Sequence, residues 1–247
     1  MSITVEDRGA VRTVRIARPE KKNALTLAMY ESLAKSLAEY SANPELRACV
    51  LLGSPGIFTA GNDIGDFMQN PPTGEDSPVF GFLIALADCP KPVIAAVDGA
   101  AVGVGTTMLL HCDLVIASSR AKFSMPFVSL GLVPEGASSV LLPQIVGRAT
   151  AAQWLMTGES FTADSALRSG LISEVHAPDE LEARAIQLAE TIAAKPVEAM
   201  RLTKELVRGP QRALVRDALS REGKLFIERL SAPETMAAFM SFMQKKS

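Results

Sequence analysis

Apolar residues recur at two different spacings over the first part of the chain. Apolar and polar residues alternate from Val11 to Ile16, which predicts a strand. Thr26 is suited to cap a helix, and the apolar positions that follow it keep helical spacing until Asn43. Short apolar runs predict further strands, at 48–53, 93–97 and 113–117, and a helix is predicted from Gly103 through Leu110. This rhythm favours a mostly parallel, layered α/β core.

The pattern becomes helical after about residue 145. Helices are predicted at 149–157 and 162–170, a last strand at 171–175, and nearly continuous helix from Leu181, with breaks at Pro196, Gly209-Pro210 and Pro233. The tail has apolar faces that include Leu225, Phe226, Phe239, Phe242 and Met243. We therefore divide the chain into a core at 1–195 and a C-terminal helical segment at 196–247, which we expect to form oligomers and to cover the site. The Pro/Gly/acid-rich loop at 69–78 is the predicted mobile segment.

Composition excludes several function classes. The 247 residues carry a formal net charge of -2, with 25 basic and 27 acidic residues, so no basic field for nucleic acid is expected. The N-terminus is acidic and no apolar run reaches the ~20 residues of a membrane helix, so a soluble, cytoplasmic protein without membrane contact is expected. Cys49, Cys89 and Cys112 lie singly, as buried reduced thiols do. His111 and His176 have no metal-ligand spacing, so no metal site is predicted.

Two glycine-containing turns, at 60–64 and 99–105, each lie between a predicted strand and a predicted helix. The first N–H groups of a helix lack partners, and such a turn directs them at an anion or a carbonyl. For a single such turn, we favour glycines that only permit a tight turn or close packing, and the occurrence of two turns favours a binding site. The stretch 103–108 lacks the third glycine of a dinucleotide-binding fingerprint.

These turns belong to a series of motifs in a fixed order. The chain resembles the crotonase (enoyl-CoA hydratase/isomerase) superfamily in Arg18-Pro19-Glu20-Lys21-Lys22-Asn23-Ala24-Leu25, Phe58-Thr59-Ala60-Gly61-Asn62-Asp63-Ile64, Lys91-Pro92-Val93-Ile94-Ala95-Ala96-Val97-Asp98-Gly99, Cys112-Asp113-Leu114-Val115-Ile116-Ala117, Ala121-Lys122-Phe123, Gly131-Leu132-Val133-Pro134 and Gly170-Leu171-Ile172-Ser173-Glu174-Val175. The resemblance implies an α/β spiral of ββα units, with C-terminal helices that form homotrimers, often paired into hexamers.

The resemblance also implies an acyl-coenzyme A site. The backbone N–H groups of Asn62 and Val104 would form an oxyanion hole for the thioester oxygen, where one preorganised donor is typically worth ~3 kcal/mol of barrier. Ala60 and Ile64 would hold the adenine end, and Lys21 or Lys22 could meet phosphates, with a solvated loop charge as an equal alternative. The remaining residues assigned to the substrate site are Ala24, Asp63, Gly103, Phe127 and Pro134. For Asp63 we favour bracing of its own turn.

The acids of a hydratase are missing from the matching positions. The two hydratase glutamates correspond to Thr107 and Phe127, neither of which can act as a general base. Glu135, in Pro-Glu-Gly-x-Ser-Ser, instead resembles the catalytic base of the peroxisomal type of Δ3,Δ2-enoyl-CoA isomerase and its bacterial relatives. The local alternative is that Glu135 is a first-turn acid that complements a helix dipole.

The expected function is therefore isomerisation of a 3-enoyl-CoA to a 2-enoyl-CoA, with Glu135 as the only acid/base and no cofactor beyond the coenzyme A of the substrate. Hydration, or another lyase or hydrolase reaction on an acyl-CoA, is the alternative within the enzyme class. A non-catalytic acyl-CoA binder is the alternative outside it.

Overall fold

A computed structural model describes residues 2–74 and 76–244. The strands are β1 (Ile3–Arg8), β2 (Val11–Ile16), β3 (Ala48–Leu52), β4 (Ile57–Thr59), β5 (Val93–Val97), β6 (Ala100–Val102), β7 (Leu114–Ser118), β8 (Lys122–Ser124), β9 (Phe161–Thr162) and β10 (Glu174–His176). The helices are α1 (Leu27–Ala42), α2 (Ile64–Gln69), α3 (Pro78–Ala87), α4 (Val104–Thr107), α5 (Ser138–Val146), α6 (Arg148–Thr157), α7 (Ala163–Arg168), α8 (Leu181–Ala193), α9 (Val197–Arg208), α10 (Arg212–Leu230) and α11 (Pro233–Gln244).

The strands form two sheets. The larger has six strands in the order β1-β2-β3-β5-β7-β10, and all its pairs are parallel except β1 with β2. The smaller has the order β4-β6-β8-β9 and is parallel up to β8. Successive strand pairs, β3 with β4, β5 with β6 and β7 with β8, each give one strand to each sheet. This repeated step produces the expected α/β spiral.

Both faces of the larger sheet are covered, which explains its continuous apolar strands. Every residue of β3 and β5 is buried, as parallel strands between two layers require. Helices α1 and α3 pack together on one side, and α8 covers the other. The small residues of α8, Ala185 and Ala189, let it lie directly on Val50, Ile94 and Ile116.

Several sequence expectations are confirmed and others are wrong at their boundaries. Helices α6 and α7 lie where helices are predicted at 149–157 and 162–170, and Thr162 caps α7 by accepting a hydrogen bond from the Ser165 N–H. The helix expected through Leu110 is α4 followed by a 3-10 turn, Met108–His111. The strand expected at 171–175 is β10, Glu174–His176, because the buried residues before it fill the core from a loop.

The C-terminal segment meets the core through only part of its surface. Phe226 of α10 and Phe239 of α11 are buried, whereas Leu225 is 48% exposed. Helix α9 has no buried residue, and its exposed apolar side chains are Val197, Leu202, Leu206 and Val207. The side chains of Phe242 and Met243 lie outside the described part of the chain, as does Glu75 in the loop expected to be mobile. No helix in 2–74 and 76–244 is both long and apolar enough to cross a bilayer.

Candidate active site

Two strand-to-helix turns meet at one edge of the smaller sheet. Strands β4 and β6 are parallel neighbours, so the turns that follow them lie side by side. At Gly61, φ is +84°, and an added Cβ would lie 2.7 Å from the carbonyl oxygen of Val102. At Gly105, an added Cβ would lie 2.5 Å from Cγ2 of Thr59. These glycines therefore allow the two backbones to touch, which a side chain at either position would prevent.

The amides of Asn62 and Val104 are left without acceptors by this arrangement. The neighbouring Asp63 N–H donates to the Leu25 carbonyl, and the Gly103 N–H donates to the Ser124 carbonyl. Within the described residues, neither the Asn62 N–H nor the Val104 N–H donates to a protein oxygen. Both residues line the same cavity. Two free backbone donors are thus available to an oxygen atom that enters it.

The cavity has a volume of about 350 Å³ and mostly apolar walls. Its lining includes Ala60, Ile64, Gly103 and Phe127, four of the residues assigned to the substrate site. The ring of Phe226 packs edge-on against Phe67 and Phe127, with centroid distances of 6.1 and 6.4 Å. Phe226 of α10 and Ala238, Phe239 and Ser241 of α11 complete the wall. Such a surface suits an apolar ligand.

Glu135 lies in the loop before α5 and points into the protein. The residue is 7% exposed, and its Oε1 accepts a hydrogen bond of 2.5 Å from the Thr107 hydroxyl. Its Oε2 is buried and has no partner among the described atoms. Helix α5 begins at Ser138, so the alternative that Glu135 is a first-turn acid of a helix is wrong. Two successive left-handed residues, Gly136 and Ala137, turn the chain so that the carboxyl group faces Thr107.

The burial of Glu135 changes its acidity. Burial raises the pKa of Glu135 to about 8, the Thr107 hydroxyl lowers it, and the negative charge of Glu222 raises it further. A carboxyl group with this pKa can both take and return a proton near neutral pH.

Glu135 is connected to Val104 through α4, and it is not among the residues that line the cavity. Thr107, which donates to Glu135, has its Oγ1 3.4 Å from the carbonyl oxygen of Val104. On the other side, the hydroxyl of Tyr30 donates to Oδ1 of Asn62, and the charge of Glu135 is among the causes that raise the pKa of Tyr30, after burial. The carboxylate and the two amides therefore belong to one cluster.

No feature of the sequence indicated that Tyr30 lies at the site. It occupies a buried position on α1, where its spacing is that of an ordinary core residue, and only the fold brings its hydroxyl to Asn62. The same holds for Glu222 of α10, which reaches Ser139 from a distant part of the chain.

The other assigned residues are not among those that line the cavity. Asp63 caps α2, its Oδ1 accepting from Gly65 and Asp66, and its Oδ2 pairs with Arg18 at 2.6 Å. With these contacts Asp63 braces its own turn, as favoured from the sequence. Ala24 is half-buried in the loop beside the first turn, where the Lys22 carbonyl accepts from Ala60. The side chains of Lys21 and Lys22 are exposed, and Pro134, which precedes Glu135, is not part of the cavity wall.

The histidines and cysteines have structural surroundings. Nε2 of buried His111 is hydrogen-bonded to the Gly136 carbonyl at 2.8 Å, and burial lowers its pKa to about 4. His176 contacts Glu174, and all three cysteines are free and buried, as expected. Among the residues the structure describes, no group of three or more His, Cys, Asp or Glu side chains is arranged to hold a metal ion.

Comparison with known proteins gives consistent matches over nearly the whole chain. The sequence pattern of the family described as enoyl-CoA hydratase/isomerase matches residues 6–247. Enoyl-CoA delta isomerase 2 of Rattus norvegicus is 33% identical over 250 residues, which are 99% of this chain and 64% of the rat protein, so this chain spans less than two thirds of that relative. A probable enoyl-CoA hydratase of Rhizobium meliloti is 34% identical over 99% of this chain and 96% of its own length.

Solved structures show the same architecture. An enoyl-CoA hydratase/isomerase from Pseudoalteromonas atlantica superposes with a TM-score of 0.95 at 39% identity, covering 99% of this chain and 98% of that one. OdaA of Pseudomonas aeruginosa also gives a TM-score of 0.95, at 42% identity and with 98% of each chain covered.

Proposed function

This chain belongs to the enoyl-CoA hydratase/isomerase family, and we propose that within this family it isomerises the double bond of a 3-enoyl-CoA to give the 2-enoyl-CoA. The expected membership of the crotonase superfamily and the α/β spiral are confirmed. The names of its relatives include both isomerases and hydratases at similar identity, so the choice between the two reactions depends on the site.

One observation carries the proposal: Glu135 is a buried carboxyl group with a raised pKa and a free oxygen, in the same cluster as two unpaired amides. The hydratase positions, Thr107 and Phe127, hold no acid. Activation of a water molecule for hydration needs more than one positioned carboxylate in this family, whereas migration of a double bond needs only one.

The proposed reaction uses two backbone donors and one carboxyl group. The thioester oxygen accepts hydrogen bonds from the Asn62 and Val104 N–H groups, and Glu135 takes a proton from C2 of the 3-enoyl chain. Negative charge then spreads over the dienolate and is stabilised at the oxygen, where each donor contributes ~3 kcal/mol. Glu135 returns the proton at C4, which leaves the double bond conjugated with the thioester. Phe127 and the apolar wall exclude water from the dienolate.

Coenzyme A binding is assigned to the surroundings of the first turn. Ala60 and Ile64 would hold the adenine end through their backbones, and the exposed Lys21 and Lys22 would meet phosphates by charge. No further cofactor takes part.

We also propose that the exposed apolar face of α9, where Leu206 is 77% exposed, packs against a second copy of the chain in a trimer or a pair of trimers.

The direct test supplies the purified protein with 3-enoyl-CoA and 2-enoyl-CoA esters of several lengths. Isomerisation makes the absorbance of a conjugated thioester appear from the 3-enoyl substrate, whereas hydration makes it disappear from the 2-enoyl substrate. Glu135→Gln should lower the isomerisation rate by at least ~100-fold, as loss of a general base does. Glu45→Gln, which changes an exposed acid, serves as the control.

If only the 2-enoyl ester is turned over, the protein catalyses hydration and the isomerase proposal is wrong. Tight binding of every ester with no turnover would make the protein a binder. Near-wild-type isomerisation by Glu135→Gln would remove Glu135 from the mechanism.

A further inference from the structure

Glu222 is a second buried carboxyl group near Glu135 that the reaction above does not use. It lies on α10, is 4% exposed, and belongs to the C-terminal segment. Its Oε1 accepts hydrogen bonds from the Ser139 N–H, at 3.0 Å, and from the Ser139 hydroxyl. Its Oε2 is buried without a partner in the described structure. Burial of a carboxyl group with one unpartnered oxygen costs free energy.

The contact with Ser139 places Glu222 at the start of α5. The residue before that helix, Ala137, has a left-handed φ of 57° and no side chain that can cap. Helix N-termini carry unpaired N–H groups and a positive partial charge, which a carboxylate complements. Glu222 therefore supplies from α10 the cap that α5 lacks in its own sequence.

This cap fixes the end of the short loop that carries Glu135. The Ser138 N–H donates to the Glu135 carbonyl at 3.2 Å, and the Gly136 carbonyl is hydrogen-bonded to His111. An added Cβ at Gly136 would lie 2.9 Å from Oγ1 of Thr107, so the glycine lets the loop lie closely against α4. With Ser139 held by Glu222 and the Gly136 carbonyl held by His111, the residues that follow Glu135 are restrained at two points.

Few charged side chains surround Glu135 and Glu222. Burial raises the pKa of Glu222, while its hydrogen bonds with Ser139 and the charge of Arg221, on its own helix, lower it. Helices α3 and α5, which pack on α10, contain no charged side chain. Asp88, at the end of α3, is paired with Arg216.

On the other sides, Glu234 of α11 is paired with Arg229. Glu135 faces Thr107 of α4 and Tyr30 of α1, neither of which carries a charge at neutral pH. His111, which holds the same loop through Gly136, has a pKa lowered by burial to about 4 and is neutral there. Glu222 is thus the charge that acts on Glu135 from the C-terminal segment.

We propose that Glu222 is a positioning residue for Glu135: as a carboxylate it anchors the start of α5, holds the loop that presents the base, and keeps the base a stronger proton acceptor by repulsion between like charges. The proposal rests on the proposed isomerase function for its kinetic consequence. The coupling between the two carboxyl groups can also be measured without turnover.

The test uses three variants of the full chain. Glu222→Gln keeps the shape and removes the charge, Ser139→Ala removes one donor to Glu222, and Glu228→Gln changes an exposed acid of the same helix as the control. The pH midpoint of the acidic limb of kcat/KM for a 3-enoyl-CoA is measured for each. Infrared difference spectra, each protein against the same protein with Glu135→Gln added, give the protonation of Glu135 directly.

Glu222→Gln should lower both midpoints by about half a pH unit or more, because a like charge next to Glu135 is gone. It should also lower kcat at least threefold with little change in KM. Ser139→Ala should shift the midpoints in the same direction by less, because Glu222 ionises less readily without that donor, and Glu228→Gln should match the wild type. Circular dichroism and thermal melting confirm that each variant is folded.

Wild-type midpoints in a folded Glu222→Gln would overturn the proposal, as would wild-type midpoints in Ser139→Ala if Glu222→Gln does not fold. A shifted infrared midpoint in a protein that does not isomerise 3-enoyl-CoA would support the coupling and reject the isomerase function. Isomerisation with unshifted midpoints would reject the role of Glu222 and leave the function standing.

Discussion

Replacing Thr107 by Val would remove the hydroxyl that donates to Oε1 of Glu135 at 2.5 Å. Thr107 is fully buried, so the new methyl group occupies the space of the hydroxyl and no solvent replaces the lost donor. Burial raises the pKa of Glu135 to about 8, and the Thr107 hydroxyl keeps it from rising higher. The substitution should therefore raise that pKa.

The size of the change follows from the hydrogen bond. A hydrogen bond to a charged group contributes about 1.5–3 kcal/mol, and one pKa unit corresponds to about 1.36 kcal/mol. The midpoint of the kcat/KM profile should move from about 8 to roughly one or two pH units higher. Because only ionised Glu135 takes the proton, the rate at neutral pH should fall roughly 10- to 100-fold, with a smaller loss at high pH.

The assay measures initial rates of conjugation from a 3-enoyl-CoA across the pH range in which the protein stays folded. Thr191→Val is the matched control, since it removes an exposed hydroxyl that bonds only to its own helix, at the Gln187 carbonyl. A midpoint that stays in place or moves down in Thr107→Val would show that Glu135 is not the titrating base or that Thr107 does not stabilise its charge.

Three further changes test other parts of the site. Gly61→Ala should destabilise the fold by about 2 kcal/mol or more and abolish turnover, because the left-handed backbone and a Cβ 2.7 Å from the Val102 oxygen force the two turns apart. Urea unfolding compares it with Gly9→Ala, where φ is also left-handed, at +56°, and an added Cβ meets no atom within 4 Å. Equal losses of stability in the two variants would show that the clash at Gly61 has no effect. Glu135→Gln should stabilise the protein above pH 8, because the pKa of this carboxyl group rises from 4.5 to about 8 on folding. Such a group does not reduce the free energy of unfolding below pH 4.5 and reduces it by several kcal/mol once it is ionised. In thermal melting, the stability gained by the variant should grow as pH rises from 5 to 8, and a gain that does not change with pH would refute the burial effect. Tyr30→Phe should lower kcat about two- to tenfold, as loss of one hydrogen bond to Asn62 implies, and unchanged kcat would show that the Asn62 side chain needs no support.

The sequence was sufficient where a structural element has a pattern of its own. The buried strands at 48–52 and 93–97 and the helix after Thr26 follow from apolar spacing, and the two turns follow from glycines between such elements. Strand β1 has no such pattern because five of its six residues are exposed. The strands of the smaller sheet span two or three residues each, too few for a period to appear.

The candidate base was accessible from the sequence only as a motif, and its surroundings were not. Nothing near Glu135 in the chain indicates that its carboxyl group is buried, since that depends on α4 and α10 closing over the loop. The Ser139–Glu222 contact joins residues 83 positions apart. Contacts of this kind arise from the spiral of strand pairs and the return of the C-terminal helices, which local periodicity does not specify.

The most direct test of the mechanism is a crystal structure of the protein with a non-reactive analogue of a 3-enoyl-CoA. In this mechanism the thioester oxygen lies ~3 Å from the backbone nitrogens of both Asn62 and Val104, as an oxyanion hole requires. The mechanism also places a carboxylate oxygen of Glu135 at roughly 3–3.5 Å from C2, within reach of C4 on the same face. A thioester oxygen bound to neither amide, or a Glu135 carboxylate kept from C2 by an intervening side chain, would contradict it.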